Sequence, residues 1–193
     1  MLSLSKRQQF IIGLLLVALM AFTRGHHFST INHLPSATLA AFFLAGLYVS
    51  SKWLVPLLFV EAALLDYAAI TFGGVSSFCV SPAYVMLIPA YGSLWLAGHW
   101  YAKKYQFNWH SLLPLSLSVV LATAISQVFS GGGFYFFSGR YTQPTLAEYG
   151  ERFVNYFPSA LSNIAFYLAL AVAFHVIAVL AARASSVHQE NKS

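Results

Sequence analysis

Long apolar segments separated by short polar breaks run the length of the chain. A helix that crosses a membrane needs about 20 mostly apolar residues. Six stretches approach that length: 8–23, 36–51, 53–72, 82–101, 111–129 and 158–182. Their limits are marked by helix-boundary residues. Pro35 precedes the second stretch, Pro56 falls in the first turn of the third, and Ser81 with Pro82 reads as the N-cap and first residue of the fourth. The pattern predicts one all-α integral membrane domain, residues 1–193, with six transmembrane helices and no internal repeat. A capping-box sequence, Thr145-Leu146-Ala147-Glu148, predicts a further short helix over 145–153, lying flat on the membrane surface.

Composition agrees. Of 193 residues, 59% are hydrophobic, 17% aromatic and 8% charged, against about 25% charged in soluble domains. The first stretch follows Lys6 and Arg7 as a signal peptide would. It lacks a clear small-x-small cleavage site before Arg24, so it is read as a retained helix. The net charge of +5 is scattered rather than clustered, so nucleic acid is not an expected partner.

Basic residues near the span ends orient the chain. With the N-terminus inside, Lys6, Arg7, Lys52, Lys103, Lys104, Arg183 and Lys192 fall on the cytoplasmic side, and Arg24, Arg140 and Arg152 outside. Seven against three favours N-in, C-in. The longer connections 24–35, 73–81 and 130–157 then lie outside, which suggests capture of something from that side.

The chemical candidates gather at the predicted outer face. The one cysteine, Cys79, lies in a Gly- and Ser-rich break, which excludes an intrachain disulfide or a multi-cysteine metal cage. A helix N-terminus two residues on favours its thiolate, a nucleophile and soft metal ligand; the alternative is an inert buried thiol. Asp66, close under the same face, either serves a ligand or is satisfied internally, for instance by Tyr84. Glu61 is turned about 140° from it on the helix and is expected to pair within the bundle. Gly131, Gly132 and Gly133 predict a sharp mobile turn. The aromatics after them, Phe134 to Phe137 with Tyr135 among them, form either an interfacial belt or a lid over a flat ligand. Arg140 and Arg152 suit an anionic group or lipid headgroups. His26, His27 and His33 make a weak metal pattern, and His175 is expected to hydrogen-bond inside the bundle. Alanines four apart, at 37, 41 and 45 and at 165, 169 and 173, predict helix-packing seams. No phosphate-binding P-loop sequence is present.

The run from Asp66 through Gly73 and Gly74 to Phe78, Cys79, Ser81, Pro82, Ala83 and Tyr84 resembles the cobalamin-specific S-components (the BtuM family) of energy-coupling factor (ECF) transporters. The resemblance covers nearly the whole chain and implies an S-component-like bundle in the inner membrane that binds cobalamin (vitamin B12) and carries it across. It further implies that Cys79 ligates the cobalt, displacing an axial ligand, and so removes cyanide from cyanocobalamin. Phe78, Tyr84 and the aromatics at 134–137 would then pack on the corrin, and Asp66 would accept hydrogen bonds from its amides. The implied partners are cobalamin, the lipid bilayer and an ECF energising module. Many S-components dock that module through Ala-x-x-x-Ala on the first helix. This helix carries Gly13, Ala18 and Ala21 instead, so the chain is expected to act alone or to use another surface, such as 37–45. Two other readings stand beside this one: an S-component for a different small vitamin with Cys79 structural, and a membrane thiol enzyme.

Overall fold

The computed structural model describes residues 4–24, 34–74, 76–77 and 80–190, and only the backbone of 182–190. The described chain is a bundle of helices running alternately up and down. Helix α1 is Lys6–Arg24, α2 Thr38–Tyr48, α3 Leu54–Phe72, α4 Leu87–Lys104, α5 Leu112–Gln127, α6 Gly133–Phe137 and α7 Leu146–Glu190. One end of the bundle carries Arg24, the start of α2 and the exit of α3. The other carries Tyr48, Lys104 and the start of α5.

Among the described residues, four helical segments are long and apolar enough to cross a membrane: Lys6–Arg24, Leu54–Phe72, Trp109–Phe137 and Leu146–Ala181. The chain is thus a helical membrane bundle. Helix α2 is apolar but only 11 residues long, shorter than the predicted 36–51. It is the centre of the bundle, with Phe42 and Phe43 fully buried. Ala37, Ala41 and Ala45 are buried too, so the first predicted seam packs inside and the expected docking surface at 37–45 is not available to a partner. The second seam, at 165, 169 and 173, is exposed along α7.

Helices α2 and α4 approach closely because two glycines face each other's backbones. A Cβ on Gly46 would collide with the Trp95 carbonyl, and one on Gly98 with the Phe43 carbonyl. Helix α3 lies at the periphery, packed on α1 and α2. Leu54, Leu58 and Ala62 are buried, while Leu64, Tyr67 and Phe72 are exposed, as a lipid-facing helix requires.

Three predicted helix boundaries are resolved differently. A reciprocal cap starts α1 at Lys6: Gln8 N–H donates to Ser5 Oγ (3.2 Å) and Ser5 N–H to Gln8 Oε1 (2.8 Å). The glycine run at 131–133 is not a turn. It continues α5 through a π-helical segment, Val128–Gly132, into α6. The missing side chains let Met86 approach Gly133, where a Cβ would sit 2.6 Å from that of Met86, and let Tyr149 approach Gly132. Finally, the predicted surface helix and sixth span are one helix of 45 residues that passes through Pro158. At 1.5 Å per residue it is roughly 68 Å long, well over the ~30 Å hydrocarbon core. Thr145 does cap it, accepting from Glu148 N–H at 3.2 Å.

A candidate binding site at the Arg24 end of the bundle

The Arg24 end of the bundle holds a polar cluster that ties four helices together. Arg24, in the last turn of α1, donates from Nε to Asp66 Oδ1 and from Nη2 to Asp66 Oδ2, both at 2.7 Å. Its remaining nitrogen, Nη1, donates to Thr38 Oγ1 at the start of α2 (3.1 Å) and to the Tyr91 hydroxyl on α4 (3.2 Å). Tyr84 donates its O–H to Asp66 Oδ2 at 2.7 Å. The side chains of Arg24 and Asp66 are 13% and 29% exposed. A charged group at this depth is retained only when paired, and the planar guanidinium matches the carboxylate in two parallel bonds. Thr23 adds a backbone tie, its hydroxyl accepting from Ala37 N–H (3.0 Å) and donating to the Leu19 carbonyl (2.8 Å).

Asp66 and Tyr84 are therefore together, bonded to each other, at the two ends of the 73–81 connection. Phe78 and Cys79 lie outside the described residues, as do His26, His27 and His33. On either side of Phe78 and Cys79, Val80 N–H donates to the Ser77 carbonyl at 3.0 Å. Gly74 takes φ +67°, a left-handed conformation suited to glycine, where the chain leaves α3. Ser81 occupies the predicted N-cap position with extended backbone, and its carbonyl accepts from Tyr84 N–H (2.9 Å). Its hydroxyl does not cap, and the first turn is a 3-10 helix, Pro82–Met86, rather than α-helix.

Two cavities open at this end. One, of about 310 Å³, is lined by polar groups: Arg24, Ser36, Tyr91, Gln127, Ser159 and Asn163. The other, of about 220 Å³, is aromatic and includes Phe134, Tyr141, Tyr149 and Arg152. Gln127 and Tyr156 line both, so the two adjoin.

The expected aromatic lid is built as a packed corner. Tyr135 is only 3% exposed. Its hydroxyl donates to Glu148 Oε2 (2.7 Å) and accepts from Thr145 N–H (3.1 Å). That bond draws Glu148 away from the reciprocal half of the predicted capping box. Arg152 bonds Glu148 at 2.9 Å and stands over the Tyr141 and Tyr135 rings at 4.7 and 5.3 Å. Arg140 is exposed beyond Gly139, with its backbone N–H donating to Ser138 Oγ at 3.2 Å.

The predicted pairing of Glu61 is not found: both carboxylate oxygens are buried without a hydrogen-bond partner among the described residues. His175 does bond in the bundle, to the Tyr105 hydroxyl at 2.7 Å. The role of Arg24 as Asp66's partner is the main feature that sequence reasoning missed; the signal was one intramembrane acid and one arginine at the same predicted depth. No family model matches this chain, and no curated protein matches it.

Proposed function

We propose that the chain binds cobalamin at its outward face and carries it across the inner membrane, as a six-span, N-in/C-in, S-component-like protein in which the Cys79 thiolate ligates cobalt. The Arg24–Asp66–Tyr84 brace carries the reading. It ties together the segments on either side of the cysteine-bearing connection, beside two open cavities. The hydroxyl, amide and guanidinium groups around those cavities suit the many amide side chains of a corrin. A soft sulfur ligand suits a late first-row metal. In this reading Asp66 positions the connection, and Tyr84 and Phe78 lie nearest the corrin. Phe134, Tyr135 and Phe137 act as a fixed wall rather than a moving lid, and Arg140 reaches toward the ligand's phosphate. Coordination by sulfur would displace cyanide from cyanocobalamin with its electron pair, leaving a cobalt–sulfur bond. An ECF module would be the energising partner in this scheme, docked elsewhere than 37–45.

The test is the absorption spectrum of cobalamin bound to purified protein. Wild type should shift it and release cyanide, and Cys79→Ala should bind without either effect. An identical spectrum in the variant overturns the cobalt role.

One observation favours the second reading, an S-component for a smaller vitamin. Cavities of about 310 and 220 Å³ suit a ligand smaller than a corrin. A colourless preparation that retains another vitamin would establish it.

A further inference from the structure

A third cavity lies at the opposite end of the bundle from the proposed cobalamin site. It measures about 560 Å³, inside the range of about 300–1,000 Å³ typical of small-molecule sites. Its walls come from the ends of α2, α4 and α5 and from the middle of α7, with Leu47, Trp109, Leu112, Leu115, Leu168 and Val172 supplying apolar surface. Polar groups on the wall bond within the protein: Tyr105 and His175 share a 2.7 Å hydrogen bond and the Tyr101 hydroxyl donates to the Ser111 carbonyl at 3.1 Å, while the Tyr48 and His175 rings lie tilted with centroids 5.9 Å apart. The lining therefore favours an apolar guest over a polar one.

Two basic residues lie next to the wall in the chain. Lys103 and Lys104 close α4 immediately before Tyr105, which lines the cavity, and both are exposed. Trp109, on the wall, is 86% exposed, the placement of an indole at the headgroup level of a bilayer. An apolar slot with two exposed lysines directly before its wall residue Tyr105 and an indole at headgroup depth matches one amphiphile, an anionic phospholipid with a chain in the slot and its phosphate at the lysines.

We propose that this cavity is a lipid site that holds one acyl chain of an anionic phospholipid, with the headgroup bound by Lys103 and Lys104. The site is independent of the cobalamin reading, since it shares no residue with the Arg24 cluster. A lipid there fills the wedge between α7 and the α4–α5 connection and couples the packing of α7 to the composition of that leaflet.

Native mass spectrometry of the full chain, delipidated in detergent and then offered phosphatidylglycerol or phosphatidylethanolamine, tests it. Wild type should retain one phosphatidylglycerol under conditions that strip annular lipid. Leu115→Trp and Val172→Phe, which fill the slot, should lose it. Lys103→Gln with Lys104→Gln leaves the slot and the buried core untouched, so it stays informative if a filling variant fails to fold. It should reduce the preference for phosphatidylglycerol by about thirtyfold. Absence of retained phospholipid in wild type overturns the proposal, as does unchanged retention in both filling variants or unchanged lipid preference in the lysine variant. A neutral isoprenoid held in place of phospholipid overturns it too.

Discussion

Arg24 and Asp66 meet across 42 residues of sequence in a two-pronged ion pair, with both N–O distances at 2.7 Å. Helix α3 is otherwise lightly packed, with three buried residues. This pair, extended by Tyr84, Thr38 and Tyr91, fixes its Arg24 end to α1, α2 and α4.

Breaking one side of the pair strands a buried charge. Asp66→Asn is expected to cost about 3–5 kcal/mol, and Arg24→Lys to lose the bidentate geometry and the bonds to Thr38 and Tyr91. Replacing both partners with apolar residues, Arg24→Met with Asp66→Leu, should cost less than either single change. Unfolding in detergent measures all three. A double variant that loses as much stability as the two single changes summed would show that the two side chains act independently.

The α2–α4 contact depends on two positions without side chains. Gly46→Val and Gly98→Val each force a side chain into the opposing backbone, which should cost at least about 1–3 kcal/mol through overpacking and reduce the yield of monodisperse protein. Gly92, also on α4, faces open space: a Cβ there would meet nothing within 4 Å. Gly92→Ala should therefore be neutral or stabilising by up to about 1 kcal/mol, which separates tight packing from a general effect of glycine loss on size-exclusion profiles.

Glu61 is a buried carboxyl with no hydrogen-bond partner among the described residues. Glu61→Leu should raise stability by roughly 1–3 kcal/mol, the cost of burying an unsatisfied polar group. A lower melting temperature in this variant would mean that the carboxyl has a stabilising partner.

The Tyr135 hydroxyl links α6 to the first turn of α7 through Thr145 and Glu148. Tyr135→Phe should cost about 1–3 kcal/mol and speed amide hydrogen exchange over 145–152. Exchange in α1 to α3 should stay as in wild type. Unchanged exchange at 145–152 would show that the ring contacts alone hold the corner.

The helical membrane character and the order of the long apolar helices were legible in the sequence. They depend on local quantities: the length of an apolar run, a proline near a helix start, a lysine pair at a helix end. His175 as a hydrogen-bonding residue of the bundle, and the bond between Asp66 and Tyr84 as one of two alternatives, were legible for a related reason, since a polar side chain deep in an apolar run must find a partner. The glycine run at 131–133 and Pro158 misled because each breaks a helix in isolation. Packing of Met86 and Tyr149 against the bare glycines favours helix at the first, and at the second α7 continues through Pro158 despite the backbone hydrogen bond lost there.

Local patterning thus determined that the chain crosses a membrane as helices and which side chains could carry chemistry. Only the assembled bundle decided that Arg24 partners Asp66, that Gly46 and Gly98 face opposing backbones, that 37–45 is core rather than surface, and that Tyr135 is a buried link. The division has one cause. Transfer into lipid acts on each segment by itself, whereas partner choice for a buried charge and the space beside a glycine are set by segments far away in sequence.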